Sequence, residues 1–296
     1  MAQLEVLVEG LGHPEGPDVL PDGRVIYVET YASEIGVWDP RTGASGTLVD
    51  CGGGPNACML GSDGDVYLTQ NGGTAGAWRA ERQVAPSIQR VSLSGRVSFV
   101  ATEVEGIPLN APNDLSFGPD GSLYFTDPGV FDLVERPDPG YIHALRPDGR
   151  GEVLAELPAV YPNGIVAEPD GSVVWVESYT RAVRRRRPTG AIEGLIELPE
   201  GHIPDGLKLA ANGDLWITTI TSRGLDVVAP DGRYARLFDA GCIPLNCVFD
   251  GTLLYITDQG EFDTTAAAKD TGRLVRVDTG VEGMPLMRGS IPALAD

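Results

Sequence analysis

Short apolar runs recur along the chain, and each is entered through an Asp-Gly or Asn-Gly turn. They read PDGRVIYVE ending at Glu29, SDGDVYLTQ at Gln70, PDGSLYFTD at Asp127, PDGSVVWVE at Glu177, ANGDLWITT at Thr219 and DGTLLYITD at Asp258. The turn glycines Gly23, Gly64, Gly121, Gly171, Gly213 and Gly251 are separated by 41, 57, 50, 42 and 38 residues, a period that marks a stacked array. A turn of this type between two apolar runs is the strongest short-range hairpin signal. A second turn follows in every unit, before Gly43, Gly95, Gly149, Gly190, Gly232 and Gly280. Two hairpins per unit give four antiparallel strands, so the pattern predicts an all-β fold, a six-bladed β-propeller of four-stranded antiparallel blades. Helical periodicity is nearly absent, which disfavours helical solenoids.

The run Leu4 to Glu9 (LEVLVE) has no hairpin partner nearby, and the last unit, ending RLVRVD at Asp278, lacks a fourth strand. Strand counting therefore predicts that the N-terminal strand supplies the outer strand of the sixth blade and closes the ring, removing two exposed edges. No Pro/Gly/Ser-rich linker divides the 296 residues, so 1–296 reads as a single propeller domain. No apolar stretch is long enough to cross a bilayer. The start MAQLEV lacks the basic and apolar regions of a signal peptide, so a cytoplasmic location without a membrane partner is expected.

Charge narrows the partners. A formal net charge of -20 argues against nucleic acid, which needs a basic footprint. The one basic run, Arg181 with Arg184 to Arg187, is expected on an outer strand of the fourth blade as a charged, solvated edge. Cys51, Cys58, Cys242 and Cys247 show no zinc-type pairing, and the apolar surroundings of Cys58 and Cys247 predict buried thiols.

Aligning the units on their turns brings out the chemistry. Eight residues before the turn glycine stand Glu15, Asn56, Asn113, Asn163 and Asp205, each after a proline, and Asn246 in IPLNC is the expected sixth member, displaced by a shorter hairpin. Each opens the innermost strand of its blade, so the six side chains are expected to converge on one end of the axis. A lone Asn or Asp after Pro usually caps a turn, but turn chemistry alone would tolerate Ser, Gly or Thr at some of six equivalent positions. All offer oxygen, and Glu15 and Asp205 match the charge of one divalent cation. An oxygen-only set suits Ca²⁺ first, with Mg²⁺, Mn²⁺, Zn²⁺ or Fe²⁺ as alternatives.

The segments around these residues resemble the gluconolactonase/regucalcin family of SGL-type lactonases: EGP at Glu15, PNDLSFGPDGSLYFTDP at Asn113, YPNGIVAEPDG at Asn163 and PDGLKLAANGDLWIT at Asp205. The likeness spans nearly the whole chain and is strongest to the bacterial gluconolactonase branch. It implies a six-bladed propeller with one divalent metal held by Glu15, Asn113, Asn163 and Asp205, and a metal-dependent hydrolase that opens a small-molecule lactone. Relatives with the same metal shell include phosphotriesterases, which is one alternative; a binding module with a structural metal is the other. Sugar-lactone members carry an Arg two residues before the blade-three Asn, where this chain has Ala111, so aldonolactone specificity is not implied.

For lactone opening, the ion would polarise the carbonyl and Asp205 is the expected general base. His13 and His202, two and three residues from ligands, are further acid–base candidates, whereas His143 is expected to be structural. The long connections 71–85, 128–140 and 259–272 are expected on the metal face, with Trp78, Phe131 and Phe262 forming an apolar cover. Substrate selection is assigned to these loops with Asn56, Asn113, Tyr161 and Asn246.

Overall fold

The computed structural model describes residues 4–76, 78–261 and 270–294. Among them lie six four-stranded antiparallel sheets, arranged as the blades of a propeller. Blade one is Pro14–Val19, Val25–Glu29, Glu34–Trp38 and Ser45–Asp50; blade two is Pro55–Leu60, Val66–Gln70, Ser87–Val91 and Val97–Ala101. Blade three is Leu115–Phe117, Leu123–Asp127, Gly140–Leu145 and Gly151–Leu157; blade four is Pro162–Ala167, Val173–Glu177, Ala182–Arg186 and Ile192–Glu197. Blade five is Pro204–Leu209, Leu215–Thr219, Gly224–Val228 and Tyr234–Asp239. Blade six is Pro244–Asp250, Leu253–Asp258 and Gly272–Asp278, completed by Glu5–Leu11.

Burial falls from axis to rim. The inner strand Pro55–Leu60 is buried at every position, whereas the outer strand Ser45–Asp50 buries only Val49. Neighbouring blades share apolar clusters rather than one central core: Trp216 of blade five packs edge-on to Phe249 of blade six at 5.5 Å and against Phe238 at 5.1 Å. All four cysteines are free and buried, as expected for core thiols.

The ring closes as strand counting predicts. Glu5–Leu11 runs antiparallel to Gly272–Asp278, with Val6 opposite Val275 and Leu11 opposite Gly272. At the opposite end of the axis from the inner-strand starts, Met284 to Met287 cover the channel. Arg288 forks onto the buried Asp18 of blade one, its second bond at 3.0 Å, and the Ile291 amide donates to the Tyr67 hydroxyl at 2.8 Å. No pattern in the sequence announces this strap.

The basic run departs from expectation. It lies on the third strand of blade four, not the outer one, and Arg185 is only 4% exposed. Its guanidinium donates to Glu168 at 2.8 Å and to the Pro230 carbonyl of blade five at 3.2 Å. Arg184 pairs with Glu177 and Arg187 with Glu193, so the run is an internally neutralised joint between blades.

Connections between second and third strands differ sharply around the ring. In blades one, four and five they are the tight turns 30–33, 178–181 and 220–223, ending on Ser33, Arg181 and Arg223 at φ of 61°, 60° and 61°. The three longer connections belong to blades two, three and six.

Candidate active site at the propeller axis

A cavity of about 360 Å³ opens at the axis end where the inner strands begin. Glu15, Asn56, Asn113, Asn163 and Asp205 all line it. Register explains the convergence: Pro14, Pro55, Pro162, Pro204 and Pro244 each sit opposite the last residue of their blade's second strand, so the next residue is carried inward at the same height.

The sixth member corrects the repeat alignment. The residue after Pro244 is Leu245, and Leu245 lines the cavity whereas Asn246 does not. Counting back from Gly251 misplaces the position because the hairpin is shorter; the proline is the better ruler. Asn246 lies one step further along and is 1% exposed. Its amide reaches Glu15, and its oxygen faces Lys208 Nζ at 3.4 Å, which also lies 4.0 Å from Asp114.

Hydroxyls near the ends of the second strands, or one residue beyond, fix the inner-strand backbones. Thr30, Thr69, Thr126, Ser178 and Thr218 donate to the carbonyls of Pro55, Asn113, Asn163, Pro204 and Leu245, each in the following blade, at 2.5 to 2.8 Å. This stitching runs from blade to blade around the ring. Sequence reasoning missed it, although its signal, a hydroxyl in each YVET, YLTQ, YFTD, VES and WITT, is there. Residues ending the second strands hold the loops that lead into the axis. Asp127 accepts from Asn110 and Ala111, Asp258 from Ile243 and Glu29 from Gly12, at 2.7 to 3.0 Å.

Two buried carboxylates, Glu15 and Asp205, line the cavity and interact electrostatically. Burial raises Glu15 well above the usual carboxylate range, and the neighbouring Asp205 charge adds to the rise. Burial likewise pushes Asp205 up to about 8, opposed by a hydrogen bond from Asn163. The Asn163 amide also donates to Ser178 at 3.1 Å, and the Asn56 amide to the Asn113 carbonyl at 3.2 Å. No group of three or more His, Cys, Asp or Glu is placed to hold an ion among the described residues. The donor set here is instead two carboxylates with asparagine oxygens, which fits a hard divalent cation whose charge would relieve the repulsion.

The flanking histidines separate. His13 lines the cavity, held at φ 58° directly before Pro14, and its Nδ1 lies 2.7 Å from Gln259 Oε1. An amide oxygen only accepts, so Nδ1 carries the proton and Nε2 is the basic nitrogen; burial lowers its pKa and the Gln259 bond opposes that. His202 is absent from the cavity lining; its Nδ1 lies 2.8 Å from the buried Asp226, which also accepts from Tyr234. His143 sits on the third strand of blade three, remote from the cavity, as expected for a structural residue.

Trp78, Phe131 and Tyr161 line the walls. Tyr161, like His13, is held at positive φ (55°) before a proline; its hydroxyl reaches Asn113 and burial holds it protonated. Phe262 lies outside the described residues. No helix among the described residues is long and apolar enough to cross a membrane.

Comparison with known proteins agrees with this geometry. The chain is similar to a gluconolactonase of Zymomonas mobilis subsp. mobilis, 26% identical over 297 residues, covering 86% of this chain and 78% of that one. In fold it matches a gluconolactonase from Xanthomonas campestris at TM-score 0.74 and 21% identity, over 94% and 89% of the two chains. It also matches a regucalcin from Agrobacterium tumefaciens at TM-score 0.79 and 19% identity, over 98% of each. The SMP-30/gluconolactonase/LRE-like region matches residues 13–260, and the chain belongs to that family.

Proposed function

We propose that the protein is a metal-dependent lactonase, hydrolysing a small-molecule cyclic ester to its hydroxy acid. The observation that carries the proposal is the convergence of Glu15, Asn113, Asn163 and Asp205 on one cavity, with two buried carboxylates that interact electrostatically. These four residues would hold a divalent cation, Ca²⁺ first, which when bound would supply Lewis-acid polarisation of the lactone carbonyl. The description of the regucalcin neighbour as a calcium-binding protein supports that ion.

Asp205 takes a proton from the attacking water as the new C–O bond forms, and returns it to the ring oxygen as the acyl–oxygen bond breaks. Asn163 orients the Asp205 carboxylate, and Asn246 orients Glu15 from below. His13, neutral with Nε2 free, is a second proton acceptor facing the cavity. His202, tied to Asp226, holds the loop leading to Pro204 rather than touching substrate.

The test is a lactone panel assayed with chelated protein and with each divalent ion restored. Ion-dependent opening is expected, with Asp205→Asn losing about 10²–10⁴-fold in kcat, assayed at saturating ion with occupancy checked by calorimetry. Ring opening that survives chelation, or chelation that changes only the melting temperature, would overturn the proposal.

A further inference from the structure

We propose that the cavity selects an uncharged lactone carrying an apolar substituent, aliphatic or aromatic, over sugar or anionic lactones. The inference takes the lactone group from the reading above and the substituent from the walls.

Two aromatic walls flank the carboxylates. On one side His13 stacks on Tyr31 at 5.1 Å and 16°, and Tyr31 stacks on Trp78 at 5.1 Å and 27°. On the other, Phe131 meets Tyr161 edge-on at 4.8 Å and lies 5.6 Å from Tyr179. Ile203, Ile220 and Leu245 complete the lining, and Val130 and Leu133, 39% and 42% exposed, extend the apolar surface to the mouth. Such area is costly to leave in water and favours a ligand that covers it.

Part of the polar side-chain surface at the walls already serves protein partners. Asn71 Oδ1 accepts from Gly73 and Thr74 at 2.9 and 3.3 Å, and Gln259 Oε1 faces His13. Ala111 offers no side-chain donor, and its amide is committed to Asp127 at 2.7 Å. A sugar lactone would set hydroxyls against the aromatic and aliphatic faces, where each one left without a partner carries a cost. Charge points the same way: Glu15, Asp132 and Asp205 line the cavity, and no Lys or Arg does so among the described residues. With the bound ion balancing Glu15 and Asp205, Asp132 would be left uncompensated, and a lactone bearing carboxylate or phosphate would find no cationic side chain in the lining among the described residues.

The experiment measures kcat/KM for γ-butyrolactone, δ-valerolactone and its alkyl derivatives to δ-decalactone, dihydrocoumarin, δ-gluconolactone and a carboxylate-bearing lactone. Within the alkyl series kcat/KM is expected to rise about fourfold per methylene until the cavity is filled. Trp78→Ala and Phe131→Ala are each expected to cut the preference for δ-decalactone over δ-valerolactone about tenfold. A flat alkyl series with δ-gluconolactone the best substrate would overturn the inference and leave the lactonase reading intact.

A second readout stands apart from turnover. Trp78 is the one tryptophan lining the cavity among the described residues, so its fluorescence, taken as the difference from Trp78→Phe, reports occupancy. Hydrolytically inert 2-alkylcyclopentanones are expected to quench it with affinity rising with chain length, while 1,5-anhydroglucitol is not. If no lactone is opened, the lactonase reading fails and this titration still decides: length-dependent quenching upholds the apolar ligand class, and no quenching, or tighter binding of anhydroglucitol, overturns it.

Discussion

His143 makes the stability of this protein acid-sensitive by a calculable amount. The ring is fully buried in blade three, stacked on Tyr141 at 5.5 Å and tilted against Phe125 at 5.0 Å. Neither ring nitrogen has a hydrogen-bond partner among the described residues. Desolvation alone lowers its pKa from 6.5 to about 4. The folded state therefore holds the ring neutral while the unfolded chain binds a proton below pH ~6.5, so this contribution is complete above that value and drains away as pH falls toward 4. The full shift corresponds to roughly 3 kcal/mol, of which about 2 is lost by pH 5. The perturbation is His143→Phe, which fills the same aromatic space and cannot charge. Denaturant unfolding of ion-loaded wild type and variant at pH 7.5, 6.0 and 5.0 gives two stability profiles, and their difference cancels every other titrating group. The variant is expected to lose about 2 kcal/mol less than wild type between pH 7.5 and 5.0. Parallel profiles would refute the reasoning, as would a His143 NMR titration with an ordinary midpoint.

Three further outcomes are expected. Ion binding at 100 times Kd should add about 2.7 kcal/mol to unfolding stability, read as a rise in melting temperature; the ion-free protein should gain stability as pH falls from about 8, because Asp205, raised to about 8, then binds a proton that the unfolded chain does not. That pH trend should shrink in Asp205→Asn, the remainder belonging to Glu15, which burial raises in the same direction. Arg288→Ala leaves Asp18, 1% exposed, without its guanidinium and should cost roughly 3 kcal/mol, measured as a denaturant midpoint; a change under about 0.5 kcal/mol would make the strap a surface decoration.

Local chemistry that repeats is what the residues alone reveal. Asp-Gly turns dictate hairpins on their own, so the six units, and with them the orphan strand closing the ring, are legible in the amino-acid order. Glu15, Asn163 and Asp205 are legible because register carries each post-proline residue to the same height, and Asn113 because its unit keeps the same spacing from proline to turn glycine although its strand begins only at Leu115. Leu245 is not, because a hairpin of different length breaks the count while the proline keeps it. Arg185 looks like surface because its neutralising partners, Glu168 and the Pro230 carbonyl, are supplied by other strands and another blade. The stacking of Tyr31 on Trp78 joins two blades, and no spacing encodes it. The strap from Met284 to Ile291 has neither period nor turn signature; only the shape of the finished ring gives it a place.

Closure of the ring by the first strand also fixes an order of events during synthesis. Glu5–Leu11 is made before the other strands of the ring, and its partner Gly272–Asp278 after all of them. Until then blade six offers an unpaired edge, and the nascent chain carries an open stack of blades that cannot lock. Contacts made late, Arg288 on Asp18 among them, close a loop of 270 residues and carry a large loop-closure entropy. A ribosome stalled before residue 272 therefore holds a chain with every axial ligand already made but no means of closing around them, the state in which such edges are most exposed to aggregation.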